Sequence, residues 1–176
     1  GLLVKAELEN LYGEKGQLSP DHVGPSGFAG GMGQALFKAK EDMTRRDIDN
    51  VICAYGKAAN TAMTLGFDGI EIHAAHGYLI DQFFWDSTNH REDDFGGGLV
   101  DRTRFGALVA QECRTRTAPH FPIFMRISQW KGQEYDARLV QDPAELELFL
   151  APLVDAGVDL FDCSQRRFWE PAFDGS

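Results

Sequence analysis

His73 and His76 stand three residues apart, and Tyr78 follows two residues later in the run His73-Ala74-Ala75-His76-Gly77-Tyr78. Three kinds of chemistry fit this set. The histidines can be structural, bonded to backbone at the end of a strand. They can be metal ligands, but a zinc protease places its histidines four apart on a helix beside a glutamate. Here Glu71 lies upstream on a strand, and only Asp81 and Asp86 are near as further ligands, so the expectation is no metal. Lastly, two neutral imidazoles can each donate one N–H to a carbonyl or phenolate oxygen and stabilise charge that grows there. A phenol close by, protonated at neutral pH, can then supply a proton.

The elements that must position these residues follow one repeated phrase. Thr44 is a good N-cap with Asp47 at the third helical position. Ile48, Val51, Ile52, Tyr55, Ala59, Ala62 and Leu65 recur at helical spacing, Gly66 stops the helix, and Phe67–His73 reads as a strand. The phrase returns as helix Asp101–Thr117 with strand Pro122–Ile127. It returns again as a helix capped by Asp142-Pro143, ended by Gly157 and followed by strand Val158–Cys163. No hairpin signal separates the strands, so they are expected to be parallel with right-handed crossovers.

On those strands Ile70 and Ile72 alternate with Glu71 and His73, and Ile123, Met125 and Ile127 alternate with Arg126. Polar groups facing away from the helices near C-terminal strand ends are the pattern of a (β/α)8 barrel. No G-x-G-x-x-G or Walker sequence follows a strand, which weighs against a doubly wound nucleotide fold. Three strands cannot close a barrel of roughly 250 residues. The predicted fold is therefore α/β, the central part of a (β/α)8 barrel with its flanks missing. Residues 44–176 form the partial barrel, and residues 1–43 form an irregular segment with a short helix near Leu3–Tyr12 and a long loop.

The 176 residues carry a net charge of -10, which argues against nucleic acid or an anionic membrane surface as partner. No apolar run approaches the roughly 20 residues that span a bilayer. Cys53, Cys113 and Cys163 form neither a disulfide framework nor a zinc motif, and Cys53 and Cys113 read as small core residues. A reducing, cytoplasmic setting fits. The chain opens on Gly1, so further sequence before it is expected.

Over residues 43–170 the chain resembles the Old Yellow Enzyme family of NAD(P)H:flavin oxidoreductases. The resemblance rests on Gly66–Phe83, on Asn89-x-Arg91-x-Asp93-x-Phe95-Gly96-Gly97, on Arg102-x-Arg104-Phe105 and on Met125-Arg126-Ile127-Ser128. Phe95, Gly98 and Asp101 depart from its usual Tyr, Ser and Asn. It implies a (β/α)8 barrel with FMN at the C-terminal face and NAD(P)H as reductant. It also implies that His73 and His76 bind the carbonyl oxygen of an α,β-unsaturated small-molecule substrate, that Tyr78 protonates the α-carbon, and that Arg126 lies beside the flavin pyrimidine edge. The family's other flavin contacts come from early strands and from the last two, which this stretch does not contain. Alternatives are a truncated barrel without activity of its own and a non-flavin barrel enzyme. A homo-oligomer is compatible with the sequence.

Around this centre, Asn89, Arg91, Asp93, Arg102 and Arg104 read as a structural network, and Phe83, Phe84 and Trp85 as core and pocket wall. Trp130, Tyr135, Phe168 and Trp169 are expected to shape a pocket, and Ser164, Gln165 and Arg166 to lie near it. Glu71 is the expected interior partner of Arg126.

Overall fold

The computed structural model describes residues 24–29, 36–38 and 41–164. The expected helix near Leu3–Tyr12 lies outside them, as do Gln165, Arg166, Phe168 and Trp169. Strands β1 (Phe28–Ala29) and β2 (Phe37–Lys38) pair antiparallel. Helix α1 (Arg45–Thr64) follows, with Thr44 and Asp47 closing a reciprocal capping box. Next come β3 (Ile70–His76), the short helices α2 (Leu79–Phe84) and α3 (Leu99–Arg102), and helix α4 (Arg104–Arg116). Strand β4 (Ile123–Lys131), helix α5 (Pro143–Asp155) and strand β5 (Leu160–Ser164) complete the order.

Strands β3, β4 and β5 form one parallel sheet in that order, as the repeated helix–strand phrase predicts. Alternation decides which face each side chain takes. Ile72, Ala74, Ile123, Met125 and Ile127 face the helices and join Ile48, Phe105, Val109, Cys113, Phe149 and Leu153 in a single core. The opposite face carries Glu71, His73, Phe124, Arg126, Leu160 and Asp162 in register, and it is open. Phe124 there is 38% exposed and Leu160 49%. Helices on one side and an uncovered polar-and-apolar face on the other make a section of a (β/α)8 barrel, seen from what becomes its interior.

Several boundaries differ from expectation. Strand β3 starts at Ile70 and leaves Phe67 exposed, because Leu65 and Gly66 end the helix in a turn with Gly66 at φ +89°. Leu65 caps that helix in solvent, so it lies off the apolar face. The helix expected over Asp101–Thr117 is two, starting at Leu99 and divided at Thr103, whose hydroxyl donates to the Val100 carbonyl. Val154 is exposed on α5, not part of its buried face. Cys113 is buried, whereas Cys53 is half-buried. Among the described residues no helix is long and apolar enough to cross a membrane.

Helix α2, which follows the candidate site, is locked by aromatic packing. Phe83 stacks on Phe105, and Phe84 meets Phe149 edge-on. Gly106 on α4 permits this approach, since a Cβ there would lie 2.5 Å from Phe84 Cζ. Gly106→Ala is therefore expected to destabilise the fold by about 2 kcal/mol through overpacking. Urea unfolding checks this, and an unchanged midpoint would mean that α2 has room to move.

Candidate active site

Strand β3 ends in two consecutive left-handed residues, His76 at φ +63° and Gly77 at φ +80°. Glycine adopts this conformation freely, but histidine pays for its Cβ with about 1 kcal/mol. The turn persists because its backbone groups are bonded. The His76 N–H donates to Ser128 Oγ (2.8 Å), and its carbonyl accepts from the Gly132 N–H (3.1 Å). The Gly77 N–H donates to Asp81 Oδ2 (2.7 Å), and its carbonyl accepts from Gln82 Nε2 (2.8 Å). The Tyr78 N–H reaches the Ala75 carbonyl, and its own carbonyl starts helix α2 by accepting from the Gln82 N–H.

This turn gathers three rings. His73 and His76 lie 5.1 Å apart centre to centre, and His73 and Tyr78 lie 5.2 Å apart. Trp130 stacks on His76 at 4.5 Å, with Tyr135 beyond it at 5.9 Å. Trp130 therefore belongs to the site, within β4 and not after it. That strand runs past its expected end at Ile127 and bulges: Ala74 pairs with Ile127, and His76 next pairs with Lys131. Such irregularities re-aim side chains at strand ends. Tyr78 is 61% exposed, so its phenol faces the open side.

Arg126 pairs in register with His73 on one side and Asp162 on the other. Its ion pair is with Asp162 (3.0 Å), not with the expected Glu71, because Asp162 occupies the neighbouring position of the same row. A second guanidinium nitrogen reaches Ser164 Oγ at 3.4 Å, and Ser164 also lies 2.6 Å from His76 Nε2. Ser164 thus bridges the histidine and the arginine. The Arg126 Nε is buried and has no hydrogen-bond partner among the described residues. An unpartnered cationic donor on the face shared with His73 suits the acceptor-rich edge of a flavin pyrimidine ring, so the residues present fit that group here.

Burial depresses the His76 pKa to about 4, assisted by the neighbouring His73, Arg126 and Lys131 and opposed by Asp162. Its imidazole is neutral at physiological pH, as a donor to a carbonyl oxygen should be. Two residues whose pairing sequence reasoning missed lie beneath it. Lys131 and Asp81 are fully buried and paired at 2.6 Å. Burial pushes the Asp81 carboxyl up and the Lys131 ammonium down, and their attraction resists both shifts. Asp81 amid Leu79, Ile80, Phe83 and Phe84 was the available signal, since a lone acid on an apolar helix needs a partner.

The surrounding polar residues are structural, as read. Asn89 Nδ2 donates to the Phe83 and Phe95 carbonyls, and Arg91 to those of Pro25 and Met43. Arg102 donates to the carbonyls of Phe84 and Gly97, and Asp93 pairs with Arg91. Arg104 makes an exposed contact with Asp94 and lies over the Phe95 ring at 6.0 Å.

A parallel helix-backed sheet with its polar side chains gathered at the C-terminal strand ends defines part of a barrel enzyme site. The comparisons carry this to a family: residues 5–168 match the model of the NADH:flavin oxidoreductase / NADH oxidase family, and the chain belongs to it, in line with the Old Yellow Enzyme resemblance. It is 45% identical over 127 residues to a putative 12-oxophytodienoate reductase 11 of Oryza sativa subsp. japonica, covering 72% of this chain and 34% of that protein. It is 43% identical over 88 residues to a cinnamate reductase of Clostridium sporogenes, covering 49% and 13%. It is 42% identical over 91 residues to an NADPH dehydrogenase of Clostridium acetobutylicum, covering 52% and 27%. The matches thus span about a third or less of the length of these curated relatives.

The depressed His76 pKa has a sign. Between pH 6.5 and about 4 the unfolded chain binds a proton that folded His76 refuses, so stability should fall as pH drops through that window. His76→Gln should flatten the pH dependence of the urea midpoint there. An unaltered slope would show that His76 is not held neutral.

Proposed function

We propose that the enzyme carrying this chain is an FMN-dependent NAD(P)H oxidoreductase that reduces the C=C bond of α,β-unsaturated carbonyl compounds in the cytoplasm. On this reading residues 44–176 belong to its FMN-binding barrel, and residues 1–43 precede it. The observation that carries the proposal is the ring cluster: His73, His76 and Tyr78 within 5.2 Å steps at the end of β3, on a site flanked by Arg126. The family match and the reductase and dehydrogenase names of the relatives support it.

FMN, when bound and reduced by NAD(P)H, would supply the hydride. The chain's own residues would do the rest. Arg126, oriented by Asp162 and Ser164, would help hold the flavin with its permanent positive charge. His73 and His76 donate to the substrate carbonyl oxygen and draw electron density from the β-carbon, which makes it the hydride acceptor. Tyr78, protonated at neutral pH, delivers its phenolic proton to the α-carbon. Product release leaves the phenolate to recover a proton from water, to which the exposed Tyr78 has access.

In the full-length enzyme, Tyr78→Phe should slow alkene reduction by about 10²-fold or more while leaving flavin reduction by NAD(P)H nearly normal. His73→Ala with His76→Ala should abolish phenol binding and enone reduction, and retention of both would refute the assignment. The open apolar face at Phe124 and Leu160 favours a second reading for the isolated stretch, namely that it lacks activity of its own. Flavin absorbance of the purified 176-residue chain separates the two readings, and a yellow, monomeric product would exclude the second.

A further inference from the structure

We propose that Asp81 and Lys131 are positioning residues for the His73–His76–Tyr78 cluster, acting through a closed chain of hydrogen bonds that sets the left-handed turn. The inference rests on the functional reading above for its kinetic consequence, but not for its geometry. From one end, Asp81 Oδ2 accepts the Gly77 N–H at 2.7 Å. Its other oxygen takes Lys131 Nζ at 2.6 Å, and Lys131 donates onward to the Ser128 carbonyl at 3.0 Å. Ser128 Oγ accepts the His76 N–H at 2.8 Å and donates to the Trp130 carbonyl at 2.7 Å. The two successive N–H groups of the turn are therefore the two ends of one network, and Trp130, on which His76 stacks, is tied to its middle.

A structural role alone does not account for this arrangement. Replacing a buried ion pair by apolar side chains of similar volume is often neutral or stabilising, so the pair is weak evidence of a contribution to stability. Apolar side chains could fill the same space, yet they could not accept the Gly77 N–H or tether Ser128. The β4 bulge between Ile127 and Lys131 exists at the one place where it brings Lys131 beneath the turn. Lys131 is fully buried, so its charge is not serving solvent or substrate directly. What the pair can fix is the direction in which His76 and Tyr78 leave the strand.

The test uses the full-length, flavin-loaded enzyme and reads His76 itself. In the double variant Asp81→Asn/Lys131→Met, histidine NMR should show His76 titrating well above about 4, toward 6.5, through loss of the Lys131 charge together with the water that the loosened turn admits. Ser128→Ala, which removes no charge, isolates the second cause. The kcat for enone reduction should fall at least ten-fold, with a smaller change in KM and unchanged flavin content. Arg114→Met is the control, because Arg114 ties Phe121, Gly157 and Asp159 together at the opposite ends of the strands. It should lower Tm while leaving the His76 titration and kcat alone. If the double variant fails to fold, Ser128→Ala cuts the same network at one link and should raise the His76 titration point in the same direction. A His76 titration unmoved in the folded double variant or in Ser128→Ala, or moved equally in Arg114→Met, overturns the proposal. A wild-type enzyme that reduces no enone would sink the functional reading, while the NMR titration would still decide this one.

Discussion

The site depends on a backbone conformation that histidine does not choose unaided. His76 is held at φ +63°, and glycine follows at φ +80°. Two left-handed residues in sequence turn the chain from strand β3 straight into helix α2, with only Gly77 and Tyr78 between them. A relaxed extended path at His76 would carry its imidazole away from His73. The cost is offset locally, because the N–H and carbonyl of both His76 and Gly77 find partners, three of them side chains from β4 and α2. The packing of Phe83 on Phe105 and Phe84 on Phe149 then keeps α2 where Asp81 and Gln82 can make those bonds.

The second constraint is register. In a parallel sheet, paired residues point to the same face, so His73, Arg126 and Asp162 form one row and Glu71, Phe124 and Leu160 the row behind it. The forward row is polar throughout, and the row behind it sets Phe124 and Leu160 beside Glu71. A one-residue slip in β3 or β4 would turn its polar residue into the helix-facing core and an aliphatic side chain or methionine toward the site. The core side chains Ile72, Met125 and Ile127 therefore specify the position of His73 and Arg126 as firmly as any direct contact.

This division explains what could be read from sequence. Alternation at Ile70–His73 and Ile123–Ile127 fixes face, and glycine stops at Gly66 and Gly157 fix helix ends, because both signals are local. The parallel sheet followed from them, whereas the grouping of His73, His76 and Tyr78 with Arg126 was what the family resemblance implied. What escaped notice depends on partners far away in the chain. Lys131 after a strand looks like a solvated charge, and only its pairing with Asp81, fifty positions earlier, makes it a buried one. Arg126 has two carboxylates within reach on sequence grounds, Glu71 and Asp162, and the sheet register selects the second. The β4 bulge has no signature in Ser128-Gln129-Trp130, since it answers the demand of the His76 turn for a hydroxyl acceptor and an N–H donor at that height.

Charge gives the arrangement its chemical sense. Burial, with His73, Arg126 and Lys131 alongside, holds the His76 imidazole neutral. Asp162 works in the opposite sense at Arg126. It takes up one arm of the guanidinium, and Ser164 takes another, so that the fork is oriented while its Nε has no partner among the described residues. The same three strands thus carry a donor kept uncharged and a cation kept in place, one beside the other, because a single register aligns their rows.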